Sequence, residues 1–165
     1  HYGILIGVAL TLATYLYRTM RPRVVCLTPG PDGSLTRTEV HELGPDQMIA
    51  IVRFDGRLYF GDSSYFEDKV VEIVSQFTEL RYLVVDAGGI NQIDATGEQI
   101  LRDLVERLRD IGVDVHFTRA KKQLRDVLER TGCMDYIGRD HFHRRNQHAM
   151  NELSNRLNLA SGRRE

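Results

Sequence analysis

The chain lacks an excess of charge of either sign. Its 22 lysine and arginine residues are balanced by 23 aspartate and glutamate residues, which leaves a formal net charge of −1. A nearly neutral chain produces no strong field to attract a polyanion, so we expect no nucleic-acid partner. A mildly basic stretch toward the C-terminus is interpreted as a solvated helix face.

Cysteine is also scarce, with Cys26 and Cys133 as the two examples in 165 residues. They lie far apart, and their spacing matches no metal-ligand pattern. We interpret both as reduced thiols of a cytosolic protein. A domain of this length can build a hydrophobic core without such cross-links.

The short motifs of common catalytic sites are missing. The sequence contains no Walker A motif, no G-x-G-x-x-G, no nucleophile elbow and no H-E-x-x-H. Gly88 and Gly89 follow a predicted strand and are interpreted as an ordinary turn, although weak nucleotide binding stays open. Asp86, Asp94 and Glu98 have no such motif beside them to support acid/base chemistry. We therefore expect a domain that is not an enzyme and that needs no cofactor.

Three histidines cluster near the start of the last predicted helix. A metal site would require ligands fixed on one face, usually with an acid or thiol partner. His141 and His143 are two residues apart and His148 is five further on, beside Arg144 and Arg145. We interpret these histidines as surface residues and expect no metal site.

Charge is absent from one long stretch, residues 2–17, after which Arg18, Arg21 and Arg23 follow closely. As a helix this stretch would be about 24 Å long, somewhat short of a full membrane span. We interpret it as the end of a transmembrane helix that began earlier, and the arginines place the following chain in the cytoplasm. The alternative is a buried helix of a soluble protein.

The remaining chain alternates between strand and helix patterns. An Asp-Gly pair at Asp55 and Gly56 predicts a tight hairpin. Residues 35–45 are polar and are left unassigned. The alternation favours helices packed on a mixed sheet that is mostly parallel in its later strands. We predict strands at residues 24–27, 48–54, 57–60, 82–86 and 113–117, and helices after Gly61, over 94–112, around 124–131 and over about 144–157.

Asp94 is predicted to cap the helix that follows it, a contribution of about 1 kcal/mol. Thr96 then falls in the first turn, where the helix dipole favours a phosphate group. The negative charges of Asp94 and Glu98 would oppose that phosphate. The two interpretations left open are a phosphorylation switch at Thr96 and a simple capped helix start, with Gly97 allowing close approach to a neighbour.

Two segments resemble a known family. Residues 53–66 (RFDGRLYFGDSSYF) are similar to the hairpin and helix start of STAS domains attached to SulP-type anion transporters. Residues 93–97 (IDATG) resemble the signature that opens a helix in STAS domains generally. The order of elements over residues 24–157 matches as well. The N-terminal stretch resembles the last transmembrane helix and linker of such a transporter.

The resemblance implies an STAS-like α/β fold, similar to anti-sigma-factor antagonists, with a mixed, mostly parallel sheet and helices mainly on one side. It implies three segments: the end of a transmembrane helix with its linker (1–21), a cytoplasmic STAS domain (22–158) and a flexible tail (159–165). The implied function is regulation and interaction within a membrane secondary transporter for sulfate or a related small anion. The implied location is the inner (plasma) membrane, with the domain on the cytoplasmic side.

The implied partners are the transmembrane domain of the same transporter, a second copy in a homodimer, and a cytosolic regulatory protein. The signature loop is Asp94, Ala95, Thr96 and Gly97, and Thr96 stands where antagonists carry a phosphorylated serine. Tyr59, Tyr65 and Glu98 are candidates for an interaction surface. The alternative function is a membrane-tethered, antagonist-like signalling module that is switched by phosphorylation at Thr96.

Overall fold

An apolar helix precedes an α/β unit along the chain. The structure, a computed structural model, describes residues 2–19, 23–29, 35–38, 43–58 and 60–161. The uncharged stretch forms the predicted helix, α1 (Tyr2–Thr19), and the side chains of residues 2–16 are all exposed. In the part of the chain that the structure describes, none of the helices combines the length and the apolar character needed to cross a bilayer.

The sheet has seven strands within the described ranges. They are β1 (Arg23–Pro29), β2 (Leu35–Thr38), β3 (Ile49–Leu58), β4 (Tyr82–Asp86), β5 (Ile90–Ile93), β6 (Asp114–Thr118) and β7 (Phe142–His143). Their order is β2-β1-β3-β4-β6-β7, and β5 pairs with the end of β3. The pairs that β1 makes with β2 and β3 are antiparallel, whereas β3, β4, β6 and β7 run parallel. The predicted mixed, mostly parallel sheet is therefore confirmed.

Five helices follow the strands in the described part of the α/β unit. They are α2 (Phe60–Val74), α3 (Ala95–Asp110), α4 (Lys122–Arg130), α5 (Cys133–Ile137) and α6 (Asn146–Ser161). Two short 3-10 turns, Ala87–Gly89 and Arg139–His141, precede β5 and β7. The predicted helices are present, and α6 begins two residues later and ends four residues later than the predicted range.

β3 is one continuous strand at the place where the sequence predicts a hairpin. Asp55 and Gly56 do not reverse the chain, so that prediction is wrong. The first half of β3 pairs with β4, while Gly56 and Leu58 pair with β5, with a register shift between them. These partners keep the backbone extended, and tertiary pairing overrides the local turn preference. Strands β1 and β2, which are neighbours in the sequence, form an antiparallel pair in which Cys26 lies opposite Thr38 and Pro29 opposite Leu35.

Alternate side chains of the central strands enter two separate hydrophobic clusters, because successive residues of a strand point to opposite faces. On the first face, Val52 of β3 and Val85 of β4 pack with residues of α2, α3, α4 and α5. On the second face, Ile51 and Val84 pack with Leu153 of α6. Helices therefore lie mainly on one side of the sheet, as predicted, and α6 covers the other side.

Candidate functional site at the start of helix α3

The start of α3 has the capping geometry that the sequence predicts. Asp94 is extended, and its Oδ1 accepts a hydrogen bond from the backbone N–H of Gly97 at 2.8 Å. The backbone N–H of Asp94 donates to the carbonyl of Leu58 at 3.3 Å, which joins the cap to β3. One of the donors that a helix start leaves without a partner is thereby satisfied. The cap fixes the position of the first turn of α3 relative to the sheet.

Gly97 permits the close contact between α3 and β3. It is buried, and a Cβ atom at this position would overlap the carbonyl oxygen of Leu58. The same Cβ would lie 3.0 Å from Cγ1 of Ile93. The predicted structural role of this glycine, close approach to a neighbour, is therefore present. This packing role of Gly97 does not depend on whether Thr96 is modified.

Thr96 lies in the first turn of α3 and is half-buried, and its neighbour Ala95 is exposed. The N-terminus of a helix carries a partial positive charge, which stabilises a negative group placed there. The position therefore combines partial solvent access with a favourable field for a phosphate. Whether Thr96 is phosphorylated stays a prediction.

Glu98 is mostly buried and forms an ion pair. The residue is 8% exposed, and its carboxylate accepts a hydrogen bond from Nε of Arg102 at 2.5 Å. Nη2 of Arg102 donates a hydrogen bond to the carbonyl of Thr131 at 2.9 Å, and the guanidinium lies over the ring of Tyr136. The place of Glu98 on an interaction surface stays a prediction.

The same carboxylate acts on the thiol of Cys133 at the start of α5. Burial of the thiol, together with the hydrogen bond and negative charge of Glu98, raises the pKa of Cys133 to about 12. The Glu98 hydrogen bond also raises the pKa of the Arg102 guanidinium. Glu98, Arg102 and Cys133 therefore form a small polar group that joins α3 to α5, and at neutral pH the cysteine is a protonated, unreactive thiol.

The two aromatic candidates lie away from α3 in the sequence. Tyr65 is on α2 and is half-buried. Tyr59 lies outside the described residues, so its place on an interaction surface stays a prediction. The structure therefore brings the signature loop together, from Asp94 to Gly97, and of the three surface candidates it describes Tyr65 as half-buried and Glu98 as buried.

The turn containing Gly88 and Gly89 has a packing role. Asp86 accepts a hydrogen bond from the N–H of Gly88 at 2.9 Å, which caps the 3-10 turn. A Cβ on Gly89 would overlap the carbonyl oxygen of Phe54 on β3. The pair of glycines thus permits a tight connection from β4 to β5, in agreement with the interpretation as an ordinary turn.

The three carboxylates that sequence reasoning considered for acid/base chemistry each have another partner. Oδ2 of Asp86 accepts hydrogen bonds from Asn146 at 2.9 Å and Arg119 at 3.1 Å. Asp94 caps α3, and Glu98 pairs with Arg102. None of the three is paired with another carboxylate in these contacts.

Sequence reasoning missed a group of buried polar side chains beneath α6. His143 is only 7% exposed and His116 is fully buried, so the interpretation of the C-terminal histidines as surface residues is wrong for His143. His141 is half-buried, whereas His148 is exposed. The sequence feature that could have revealed this group is the alternation along β6, which places Asp114, His116 and Thr118 on one face of the strand. Their burial depends on α6, whose position the strand pattern does not reveal.

Comparison with known protein families identifies this fold. A family model described as the STAS domain matches residues 42–149. Because this match covers about two thirds of the chain, the protein belongs to the STAS domain family. The matched range includes the whole of α3 and its cap.

The curated relatives are transporters. A probable sulfate transporter, 4.2, of Arabidopsis thaliana is 25% identical over 152 residues, which cover 85% of this chain and 22% of the relative. This chain thus spans about a fifth of the length of the curated relatives that it matches first.

Solved structures give the same fold. The structure of SLC26A9 matches 98% of this chain and 28% of its own, with a TM-score of 0.74 and 19% identity. A STAS domain of a SulP transporter from Vibrio cholerae matches 68% of this chain and 86% of its own, with a TM-score of 0.58 and 17% identity. At these identities the likeness establishes the fold alone.

Proposed function

We propose that this chain is the cytoplasmic STAS domain, with the end of the preceding membrane helix, of a secondary transporter for sulfate or a related small anion. One observation carries the proposal. The similarity to a curated sulfate transporter extends over 85% of this chain, which is more than the STAS family model alone covers. The STAS domain and some of the residues that flank it are therefore similar to one stretch of a probable sulfate transporter, which supports the proposal.

The surface of α1 supports a membrane location for this helix. Its exposed side chains include the large apolar residues Ile4, Leu5, Ile6, Val8, Leu10 and Leu12. A contiguous apolar surface of this kind is unfavourable in water and favourable against lipid or another apolar partner. The nearby Arg18 favours the cytoplasmic side for the domain that follows. The proposed location is the inner (plasma) membrane.

The proposed work of the domain is regulation and assembly, not catalysis. The carboxylates of Asp94 and Glu98 at the start of α3 have structural partners, and Cys133 beside Glu98 is held as a protonated thiol. The domain would contact the transmembrane part of the same transporter, a second copy in a homodimer and a cytosolic regulatory protein. The anion would be bound and moved by the transmembrane part.

Deletion of residues 24–157 from the full-length protein tests this proposal in cells. We expect less folded dimer and a lower rate of sulfate uptake, because contacts from the domain to its neighbours are lost. Dimer yield can be followed by size-exclusion chromatography of a fluorescent fusion, and uptake with labelled sulfate. Unchanged dimer yield and unchanged uptake would contradict the proposal.

A second candidate function is a phosphorylation switch at Thr96, in a transporter or in a membrane-tethered signalling module. Two observations favour it. Thr96 is half-buried in the first turn of α3, and Arg102 neutralises Glu98, one of the two charges expected to repel a phosphate. Thr96→Ala should abolish a phosphorylated species seen by mass spectrometry of the native protein, and Thr96→Glu should mimic its effect on transport or partner binding. If neither variant changes these readouts, the switch does not exist.

A further inference from the structure

A cluster of histidine and carboxylate side chains on the second face of the sheet has no part in the proposed function. Asp114 and His116 are two residues apart on β6 and therefore project from the same face. His141, from the 3-10 turn before β7, meets them there. We propose that Asp114, His116 and His141 form a binding site for a divalent transition-metal ion such as Zn²⁺.

The two candidate histidine nitrogens both face one oxygen of Asp114, the third candidate ligand atom. Nε2 of His141 lies 2.9 Å from Oδ2 of Asp114, and Nε2 of His116 lies 3.5 Å from the same oxygen. The two imidazole rings stack with their centroids 4.3 Å apart and an interplanar angle of 19°, so one ring has to rotate for both in-plane lone pairs to meet a single ion. Ligands that each lie about 2.0–2.2 Å from a Zn²⁺ ion are separated from one another by about 3–3.5 Å. The separations from Asp114 to the two histidines are close to this range.

His116 has a buried nitrogen that needs a partner. The residue is fully buried, and its Nε2 has no hydrogen-bond partner among the residues that the structure describes. A buried polar atom without a hydrogen bond is destabilising, because it has lost its contacts with water. Oδ2 of Asp114 lies 3.5 Å from this nitrogen, so the atom faces a negative charge. A cation between His116 and Asp114 would satisfy both groups.

The second nitrogen of each candidate histidine ligand already faces a group that can orient the ring. Nδ1 of His116 is 3.0 Å from Nε2 of His143, and Nδ1 of His141 is 3.0 Å from a carboxylate oxygen of Asp140. Histidines that bind metal through one nitrogen usually donate the other N–H to such a group. Both rings are thus held with Nε2 directed at Asp114.

The two oxygens of Asp114 face different groups. Nε of Arg109 approaches Oδ1 at 3.7 Å, while Oδ2 is directed at the histidines. A surface cavity lined by Asp114, Tyr82, Met48 and Leu157 borders the aspartate. Two imidazoles and one carboxylate form a ligand set that Zn²⁺ and other divalent transition metals accept.

Titration of the full 165-residue chain, purified in mild detergent and treated with a chelator, tests the site. Zn²⁺ is added in competition with a chromophoric chelator, and Co²⁺ is added as a spectroscopic probe. We expect one ion per chain, visible absorption from bound Co²⁺ and a higher melting temperature with Zn²⁺. The absence of saturable binding would overturn the proposal.

Variants locate the ion. His141→Gln should weaken Zn²⁺ binding at least about tenfold and remove the Co²⁺ absorption, because a ligand at the accessible rim of the site is lost. Asp140→Asn, which changes an exposed group that orients His141, should weaken binding about 10–100-fold. It serves as the second test if His141→Gln alters the circular dichroism of the metal-free chain.

The matched control is His148→Gln, which removes an exposed histidine from the same region. It should leave the affinity and the Co²⁺ spectrum unchanged. His148 belongs to a neighbouring set with His143 and Glu152 that could also hold an ion. Equal weakening in His148→Gln, or unchanged binding in both His141→Gln and Asp140→Asn, would overturn the assignment to Asp114, His116 and His141.

Discussion

The two faces of the sheet are buried by different means. On the first face, the side chains packed between the sheet and helices α2 to α5 are almost entirely apolar. They include Phe54 from β3, Phe66 from α2 and Leu104 from α3. On the second face, α6 covers a small apolar cluster and a row of polar groups. The buried polar residues of this row are Asp86, His116, Thr118, His143 and Asn146.

The first face therefore contributes mainly to stability, whereas the second face holds the polar groups that could bind a ligand. Apolar burial is favourable without any directional requirement, so the first face can support the fold and hold α3 in place. Buried polar groups are tolerated only with partners, so each group on the second face depends on a specific neighbour. Asp86 has hydrogen-bond partners in Asn146, Arg119 and Gly88, whereas Nε2 of His116 makes no hydrogen bond among the described residues and lies 3.5 Å from Asp114.

The largest effect should come from a cavity on the first face. Phe66 is fully buried, and its ring packs edge-to-face against Phe54 with centroids 4.9 Å apart. Phe66→Ala should lower the free energy of unfolding by about 3–5 kcal/mol, measured by urea titration. Phe66→Leu, which retains most of the apolar contact, is the control and should cost less. A loss below about 1 kcal/mol for the alanine variant would break the contrast between the faces.

A smaller loss is expected from the second face. Asn146 donates to Asp86 at 2.9 Å and accepts a hydrogen bond from Thr118, and all three residues are buried. Asn146→Ala should cost about 1–3 kcal/mol in the same urea titration, because it leaves buried groups without partners. Gln147→Ala, at an exposed position of α6, should stay within about 0.5 kcal/mol. Similar values for the two variants would show that the polar row contributes nothing specific.

The thiol of Cys133 should make the first face sensitive to alkaline pH. The pKa of Cys133 rises from 9.0 to about 12 on folding. The free energy of unfolding therefore contains the full contribution of the protonated thiol below about pH 9, and this contribution is lost as the pH rises toward 12. One proton taken up on folding corresponds to about 1.4 kcal/mol per pH unit. Unfolding titrations between pH 9 and 11 should show a steeper loss for the native chain than for Cys133→Ala. Parallel pH profiles would contradict the raised pKa.

The smallest effect should come from the cap of α3. Asp94→Ala removes the hydrogen bond to the N–H of Gly97 and should cost about 1 kcal/mol. Asp94→Ser retains an oxygen acceptor at the cap and should recover most of this loss. Chemical denaturation of both variants measures the difference, and equal stability of Asp94→Ala and the native chain would exclude a capping role.

Local chemistry allowed part of this structure to be predicted. The cap at Asp94 follows from backbone hydrogen bonding within one turn, and the burial of β4 follows from its continuous apolar run. Both features depend on neighbours close in sequence. The helix of the signature loop and the parallel central strands were therefore accessible to sequence reasoning.

Features that depend on contacts between residues far apart in the sequence could not be predicted. The hairpin predicted at Asp55 and Gly56 fails because β5, more than thirty residues later, pairs with the end of β3. The sequence pattern predicts a surface position for His143, but the residue is buried. Its burial depends on the placement of α6, which the pattern does not reveal. The group formed by Asp114, His116 and His141 requires a turn 27 residues beyond Asp114 to fold back beside β6.

Sulfate uptake by purified protein in proteoliposomes tests the proposed function most directly. The full-length protein is compared with a version that lacks residues 24–157, at equal amounts of reconstituted protein, so that folding yield does not enter the comparison. We predict that initial uptake of labelled sulfate per molecule is lower without the domain, because the domain regulates and supports the transmembrane part. Equal sulfate uptake per molecule by the two proteins would contradict the account.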